Sequence, residues 1–276
     1  MWVWVTDPAA LLIPGTPLLL SGVDPCEPEE MASLRSAVHS VLVRTRTWTV
    51  RVPGSALPPV ASLGGLGLAV GARIHAEEPA GPVVPMEYSG PGGVRDHAIV
   101  EGTSRPSDLL RGDELVTAVK ELDEASVRTA LQIPTGVLVA VLAGLEAGVD
   151  VRLIAGGDGC TAPSAAPLVV PLDFSGAAHP EAPLAPREGA VAFDEELERA
   201  LTGSVDLERI AALQDRAGGH AAWIDMLATL ELAGARGVGL ASADVHHVRY
   251  RVFALEADAP LRVPRERQTS LSGWHA

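Results

Sequence analysis

A short apolar run that stops at three glycines constrains this sequence more than any other feature. Residues 151–156 read VRLIAG, and Gly157-Asp158-Gly159-Cys160 follow directly. A helix is predicted over residues 136–147, and Gly148 turns the chain from that helix into the apolar run. A helix followed by a buried strand is typical of an α/β fold with parallel strands. Because ligands of open α/β sheets gather beyond the carboxyl ends of strands, we expect the functional site near this strand end.

The composition of the 276 residues narrows the class of protein. Hydrophobic residues make up 47% of the sequence and lie in short runs, which indicates a globular chain with its own core. No apolar run reaches the ~18–20 residues of a membrane-spanning helix, and the N-terminus lacks the basic region of a signal peptide. Two cysteines give neither a disulfide framework nor a four-thiolate zinc site, so we expect a cytoplasmic protein. The net charge of −14 argues against a nucleic-acid partner.

Hydrophobic periodicity predicts strands that alternate with helices along the chain. Strands are predicted over residues 2–6, 47–52, 83–88, 97–100, 151–156, 168–172 (as an edge strand) and 247–255. Helices are predicted over residues 27–43, 63–74, 106–122, 125–131, 136–147, 193–201, 206–214 and 220–232. Residues 11–15 are predicted as an apolar loop, because proline and glycine interrupt them. No linker separates domains, so we expect one domain over residues 1–256 and a polar tail over residues 257–276.

The glycines after residue 155 invite comparison with nucleotide-binding loops. No Gly-Lys-Ser/Thr follows them, and Pro163 is incompatible with the helix that such a loop opens. Nucleotide binding is therefore not favoured. Cys160 can be read as a nucleophile at a strand end or as a small packed side chain. We favour the second interpretation, because no general base lies at a suitable spacing in the sequence.

Several histidines are candidate metal ligands or acid–base groups. His246 and His247 are adjacent on a predicted strand, so their side chains would point to opposite faces and at most one could enter a site. His220 precedes a predicted helix and would cap it or face solvent. His75 has two glutamates close behind it but lacks a ligand spacing such as His-Glu-x-x-His. For each histidine taken alone, a structural role is favoured over a metal-binding one.

Several stretches occur in an order that points to a known family. Leu11-Leu12-Ile13-Pro14 is similar to the apolar end of an opening Pro-His-Pro-Pro-Leu-Leu-Val-Pro motif, and residues 153–160 are similar to a strand followed by Gly-Asp-Gly-Ser. The other matching stretches are residues 52–71, Phe193-Asp194 with the acidic helices, the segment at Trp223, and the tyrosine-containing strand at residues 247–254. Together they resemble the class III extradiol ring-cleavage dioxygenases of the B-subunit-like family, especially its short actinobacterial members.

The resemblance implies an α/β fold with a mixed central sheet flanked by helices on both faces. In active members it also implies an iron(II) ion held by two histidines and a glutamate, with a further histidine as acid or base. This sequence departs from that pattern. Pro8 stands where the first histidine ligand belongs, no histidine lies between Val52 and Leu63, Asp158-Gly159-Cys160 replace the acid–base histidine, and only His220 lies near the glutamate position. We therefore expect no metal site and no cofactor, unless rearranged ligands bind iron(II) or zinc.

Three functions follow from this comparison. The first is a dioxygenase-like protein without iron chemistry that binds a small molecule or serves as an accessory or partner subunit, in a homo- or hetero-oligomer. The second is an enzyme of small-molecule metabolism with repurposed chemistry in the same cleft. Its catalytic residues are unassigned, and the candidates are Asp7, Asp158, Cys160, His220 and His247. The third is a metal-dependent oxygenase with rearranged ligands.

Overall fold

Strand pairing organises the part of the chain that the structure describes. The computed structural model describes residues 8–26, 28–53, 58–76, 103–130, 133–156, 166–220, 222–224 and 235–257. Its strands are β1 Ala10–Pro14, β2 Thr47–Pro53, β3 Val60–Ser62, β4 Val70–Ala76, β5 Thr103–Arg111, β6 Asp150–Gly156, β7 Leu168–Asp173, β8 Gly203–Ser204, β9 Trp223–Ile224, β10 Ala235–Val245 and β11 Val248–Ala257. Its helices are α1 Glu29–Leu42, α2 Gly112–Lys120, α3 Glu124–Ala130, α4 Thr135–Glu146, α5 Ala190–Leu201 and α6 Leu207–Ala217.

The described strands form one mixed sheet. Its order is β3-β4-β5-β6-β2-β7-β1-β11-β10-β8, and β9 pairs with β7. The four central strands β6, β2, β7 and β1 are parallel. The strands on either side of them are antiparallel. The predicted α/β class and the mixed central sheet are therefore confirmed.

Helices cover both faces of the central strands. Helices α1 and α4 pack on one face, where they share a buried core with Trp48 of β2. Helices α5 and α6 pack on the other face, where Phe193 joins Leu12 and Leu255 in a second core. A smaller cluster joins Leu115 of α2 to β3 and β5. The predicted helices at residues 27–43, 125–131, 136–147, 193–201 and 206–214 are confirmed as α1, α3, α4, α5 and α6.

The prediction of a loop over residues 11–15 is wrong. Residues 10–14 form β1, which lies between β7 and β11. Successive side chains enter opposite cores, with Leu11 and Ile13 on the α1/α4 face and Leu12 on the α5/α6 face. The sequence of such a strand does not alternate between polar and apolar residues, because both of its faces are buried. Pro14 occupies the last strand position, where its missing N–H interrupts no further pairing.

The predicted position of β7 at the sheet edge is also wrong. This strand lies between β2 and β1, and its first five residues are buried. Its proline, Pro171, suggested an edge strand because proline cannot donate to a neighbouring strand. The sheet accommodates Pro171 opposite Ile13 in the parallel pairing with β1.

Two predicted helices each contain a strand. Residues 63–74 form a 3₁₀ turn, Leu63–Leu66, followed by β4. Residues 106–111 belong to β5, whereas residues 112–120 form α2, so the helix predicted over residues 106–122 is confirmed only in its second half. The register between β4 and β5 shifts beside Pro106, so this proline lies at an irregularity that suits it. Gly112 has a φ of +52°, which ends the strand before the acidic first turn of the helix.

The chain near His220 and the last hairpin also differ from the predictions. A 3₁₀ turn, Gly218–His220, and strand β9 occupy the start of the helix predicted over residues 220–232, and residues 225–234 lie outside the described part. Strand β11 begins at Val248, so His247 lies in the turn before it. The strands predicted over residues 2–6, 83–88 and 97–100, and the tail over residues 257–276 apart from Ala257, lie outside the described residues.

Candidate functional site

The carboxyl ends of the four parallel strands meet at one edge of the sheet, which we call the carboxyl edge. Strands β1, β2, β6 and β7 end there at Pro14, Pro53, Gly156 and Asp173. The strand predicted over residues 151–156 is thus confirmed as a central parallel strand. The candidates that flank these strands, Asp7, Asp158 and Cys160, lie outside the described residues.

Asp173 is the polar residue that ends β7 at the carboxyl edge. Its side chain is partly buried, and its Oδ1 accepts the backbone N–H of Gly15 at 2.9 Å. Burial raises the pKa of this carboxyl to about 6, although the hydrogen bond from Gly15 opposes that rise. An acid with this pKa changes its protonation state close to neutral pH, which favours roles in binding or proton transfer.

Gly15 lies in a space that admits no side chain. A β carbon on this residue would lie 2.6 Å from Oδ2 of Asp173 and 2.9 Å from Cα of Gly136, in the first turn of α4. The end of β1 is therefore wedged between a carboxylate and a helix start. Glycine is required here by close approach.

Tyr250 completes the polar group on this face of the sheet. It lies on β11, is only 9% exposed, and its side chain is hydrogen-bonded to Thr16. Burial raises the pKa of its hydroxyl, and the negative charge of Asp173 raises it further. The carboxyl of Asp173 and the hydroxyl of Tyr250 are thus within electrostatic reach of each other near the carboxyl edge. Together they can donate and accept hydrogen bonds.

A second buried acid holds the chain where it leaves β7. Asp194 of α5 is 2% exposed, and its Oδ1 accepts the backbone N–H of Ser175 at 2.7 Å. Burial raises the pKa of this carboxyl to about 6, and Arg249 and Arg251 oppose the rise. Because its main contact is a backbone group two residues after Asp173, Asp194 positions the segment behind the carboxyl edge.

His220 has a structural position on the α5/α6 side of the sheet. Its backbone carbonyl accepts the Ser175 hydroxyl at 3.0 Å, and its ring packs against Phe193 with 4.9 Å between the ring centroids. The Nδ1 atom is buried and has no hydrogen-bond partner among the described residues. Asp173 and Tyr250 face the opposite core. His220 is therefore not brought into their polar group.

His247 belongs to a different group, at the rim of the carboxyl edge. Its Nε2 lies 3.1 Å from a carboxylate oxygen of Glu181, and its ring stacks on that of His179 at 4.1 Å. These three exposed residues, the rim triad, are the group of three or more candidate metal ligands found in the described part of the chain. The sequence interpretation missed His179 and Glu181, because only folding brings their loop to the hairpin. His75 lies on β4, on the other side of the sheet, and does not join them.

The residues at the expected iron positions do not fit an iron(II) site. Pro8 has no side-chain donor atom and precedes the amino end of β1, whereas Asp173 lies at the carboxyl edge. His220 is held against Phe193 on the other face. The sequence between Val52 and Leu63 contains no histidine. No chemical step through iron(II) can be assigned to these residues.

Comparison with known proteins does not identify the family. No protein-family model matches the chain, and no curated protein matches it. Within the described residues, no single helix is both long and apolar enough to cross a membrane.

Proposed function

We propose that this chain is a class III extradiol dioxygenase-like protein that has lost the iron(II) site and binds a small molecule at the carboxyl edge, as an accessory or partner subunit. The observation that carries the proposal is the partly buried acid Asp173 at the end of β7, with Tyr250 on β11 close enough for the charge of Asp173 to raise the pKa of its hydroxyl. Open α/β sheets bind their ligands in this region.

Asp173 and Tyr250, the polar pair, are better explained by ligand binding than by the stability of the fold. Removing a carboxylate from water is unfavourable, and the raised pKa of Asp173 measures that penalty. The contact that opposes it in the described part of the chain is a single backbone N–H, from Gly15. A hydroxyl group of a ligand could donate to Asp173 and so replace some of the lost hydration. This favours a small hydroxylated ligand.

An aromatic diol is the natural first probe, since the family that this chain resembles cleaves aromatic rings next to two hydroxyls. Catechol can donate hydrogen bonds to Asp173 and Tyr250, whereas 1,2-dimethoxybenzene has a similar shape and cannot donate. Isothermal titration of chelator-treated protein with both compounds tests the proposal. We expect catechol to bind and the dimethoxy compound to bind at least about tenfold more weakly, the range for one charged hydrogen bond.

Matched variants assign the binding to this edge. Asp173→Asn should weaken catechol binding about tenfold or more, and Tyr250→Phe should weaken it by a smaller factor. Asp244→Asn removes an exposed carboxylate on β10 and should leave the affinity unchanged. Equal binding of the two probes, or an unchanged affinity in Asp173→Asn, would refute this ligand chemistry.

An enzyme of small-molecule metabolism is the second candidate, and the protonation of Asp173 favours it. A carboxyl with a pKa of about 6 can take up or release a proton near neutral pH, as general acid–base catalysis requires. Mass spectrometry of catechol incubated with the protein separates the two functions. Unchanged catechol supports a binding subunit, whereas turnover that Asp173→Asn abolishes supports an enzyme.

A further inference from the structure

We infer that the rim triad of His179, Glu181 and His247 is a binding site for one divalent transition-metal ion, for which zinc is the probe. The donor atoms of the three side chains lie within 4.8 Å of one another. Two imidazoles and one carboxylate are a ligand set that zinc binds, with a fourth position left for water. All three residues differ from the positions at which the dioxygenase resemblance expects iron ligands.

The geometry is close to that of a loaded site. Zinc–nitrogen bonds of about 2.0–2.1 Å place neighbouring donors roughly 3.3 Å apart, so the widest separation in the triad must contract by up to about 1.5 Å. The side chains of Glu181 and His247 are 73% and 44% exposed, so rotation about their side-chain bonds meets little packing resistance. The two imidazole rings are nearly parallel, with 9° between their planes, and must tilt toward each other to share an ion.

One hydrogen bond must break before a nitrogen of His179 can coordinate an ion. Its Nδ1 accepts the backbone N–H of Glu181 at 3.1 Å, so in the neutral ring the proton lies on Nε2. An ion can bind Nδ1 in place of that N–H. Alternatively it can bind Nε2 after the proton has moved to Nδ1 through solvent. Either route breaks this backbone contact and leaves the net charge of the neutral ring unchanged.

The position of the triad gives the ion a structural consequence. His179 and Glu181 lie on the loop that begins after Asp173, and His247 lies in the hairpin turn that leads to Tyr250. A bound ion would fasten the loop to the hairpin. Both segments that carry the polar pair would then be fixed at the rim of the carboxyl edge.

Zinc titration of chelator-treated, dialysed protein without a histidine tag tests the inference, and no small molecule is needed. We expect one ion per chain by calorimetry, and cobalt(II) should give visible absorption bands on the same site. His179→Ala, Glu181→Gln and His247→Ala should each weaken zinc binding at least about tenfold. His246→Ala and His75→Ala are histidine controls outside the triad and should bind zinc as the wild type does.

The triad is exposed, so these variants should fold, and circular dichroism verifies this. The inference fails if no saturable zinc binding occurs below millimolar concentration. It also fails if a His179→Ala/His247→Ala double variant that is folded binds zinc as tightly as the wild type. Because zinc binding is measured without catechol, either result leaves the proposed small-molecule function to its own test.

Discussion

Replacing Asp173 with asparagine should stabilise the protein at neutral and alkaline pH. Asparagine has nearly the same shape, and its Oδ1 can still accept the backbone N–H of Gly15. It carries no charge, so the penalty for holding a carboxylate in this partly buried position disappears. A gain in stability from the loss of a charged group is the pattern expected at a functional site.

The pKa of Asp173 sets the size and the pH range of the effect. The carboxyl titrates at about 6 in the folded protein, against 3.8 for an unperturbed aspartate. Below about pH 4 both the folded and unfolded states hold the proton, and Asp173 carries no penalty. As pH rises from about 4 to 6, the unfolded chain releases the proton first, so the folded state loses stability. Above about pH 6 the loss is complete and amounts to about 3 kcal/mol.

We therefore expect Asp173→Asn to match the wild type near pH 4 and to exceed it by about 1–3 kcal/mol at pH 8. The lower bound allows for an imperfectly paired amide N–H in place of Oδ2. Urea unfolding followed by circular dichroism between pH 4 and 8 measures the difference. Asp194 titrates in both proteins and cancels from that difference.

Asp244→Asn is the matched control for this series, because its carboxylate is 69% exposed. It should change the unfolding free energy by less than about 0.5 kcal/mol at every pH. A difference between Asp173→Asn and the wild type that does not vary with pH would refute the reasoning. So would a variant that is less stable than the wild type at pH 8, because the ionised carboxylate would then be stabilising.

Three further variants test the packing of the same edge. Gly15→Ala should lower the unfolding free energy by about 2–4 kcal/mol through its clashes, whereas Gly218→Ala, whose β carbon meets nothing within 4 Å, should be nearly neutral in the same urea titration. Tyr250→Phe should cost about 1 kcal/mol, and thermal unfolding should show it. Replacing His246-His247 with Asn-Gly should raise the unfolding free energy by about 1 kcal/mol, because both turn residues have positive φ. An unchanged or lower urea midpoint would contradict this prediction.

The elements that could be predicted from the sequence are those whose hydrophobic pattern reflects packing on a single face. Helix α1 has its acidic first turn and its apolar spacing in the sequence, and both agree with the structure. Strand β6 was predictable because a helix, a glycine and an apolar run follow one another. In each case local and tertiary preferences point the same way.

The parts that could not be predicted depend on burial by distant segments. Strand β1 resembles a broken loop until β7 and β11 cover it from both sides. The helical spacing of residues 106–122 does not reveal that Gly112 divides them between a strand and a helix. The hydrophobic pattern alone does not distinguish a strand buried on both faces from an irregular segment. Neither of them shows an alternation of polar and apolar residues.

Of the candidate site, the sequence predicted the strand end at residue 156 but neither Asp173 nor the rim triad. The sequence interpretation expected function beyond a central parallel strand, and the carboxyl edge lies there. Asp173 was missed because its strand was assigned to the sheet edge. An acid that ends an apolar run, as Asp173 does after Leu172, is the signal that could have found it. The rim triad joins residues 68 positions apart, and no local spacing indicates it.

The two acids near the carboxyl edge, Asp194 and Asp173, differ in what their carboxylates contact. Burial also raises the pKa of Asp194, but this carboxylate fixes the Ser175 backbone and has Arg249 and Arg251 beside it. Both carboxyls titrate at about 6, so both keep a net penalty. They differ in what lies near them, because two arginine charges act on Asp194, whereas burial and the Gly15 hydrogen bond are the causes that shift the pKa of Asp173. For Asp173, one backbone hydrogen bond opposes the rise of the pKa in the described part of the chain. The penalty for ionising this carboxyl in the folded protein is about 3 kcal/mol, which is a sizeable share of an ordinary folding free energy. Neutral asparagine would hold the same hydrogen bond without it. A carboxylate at this position is thus better explained by a binding partner than by the fold.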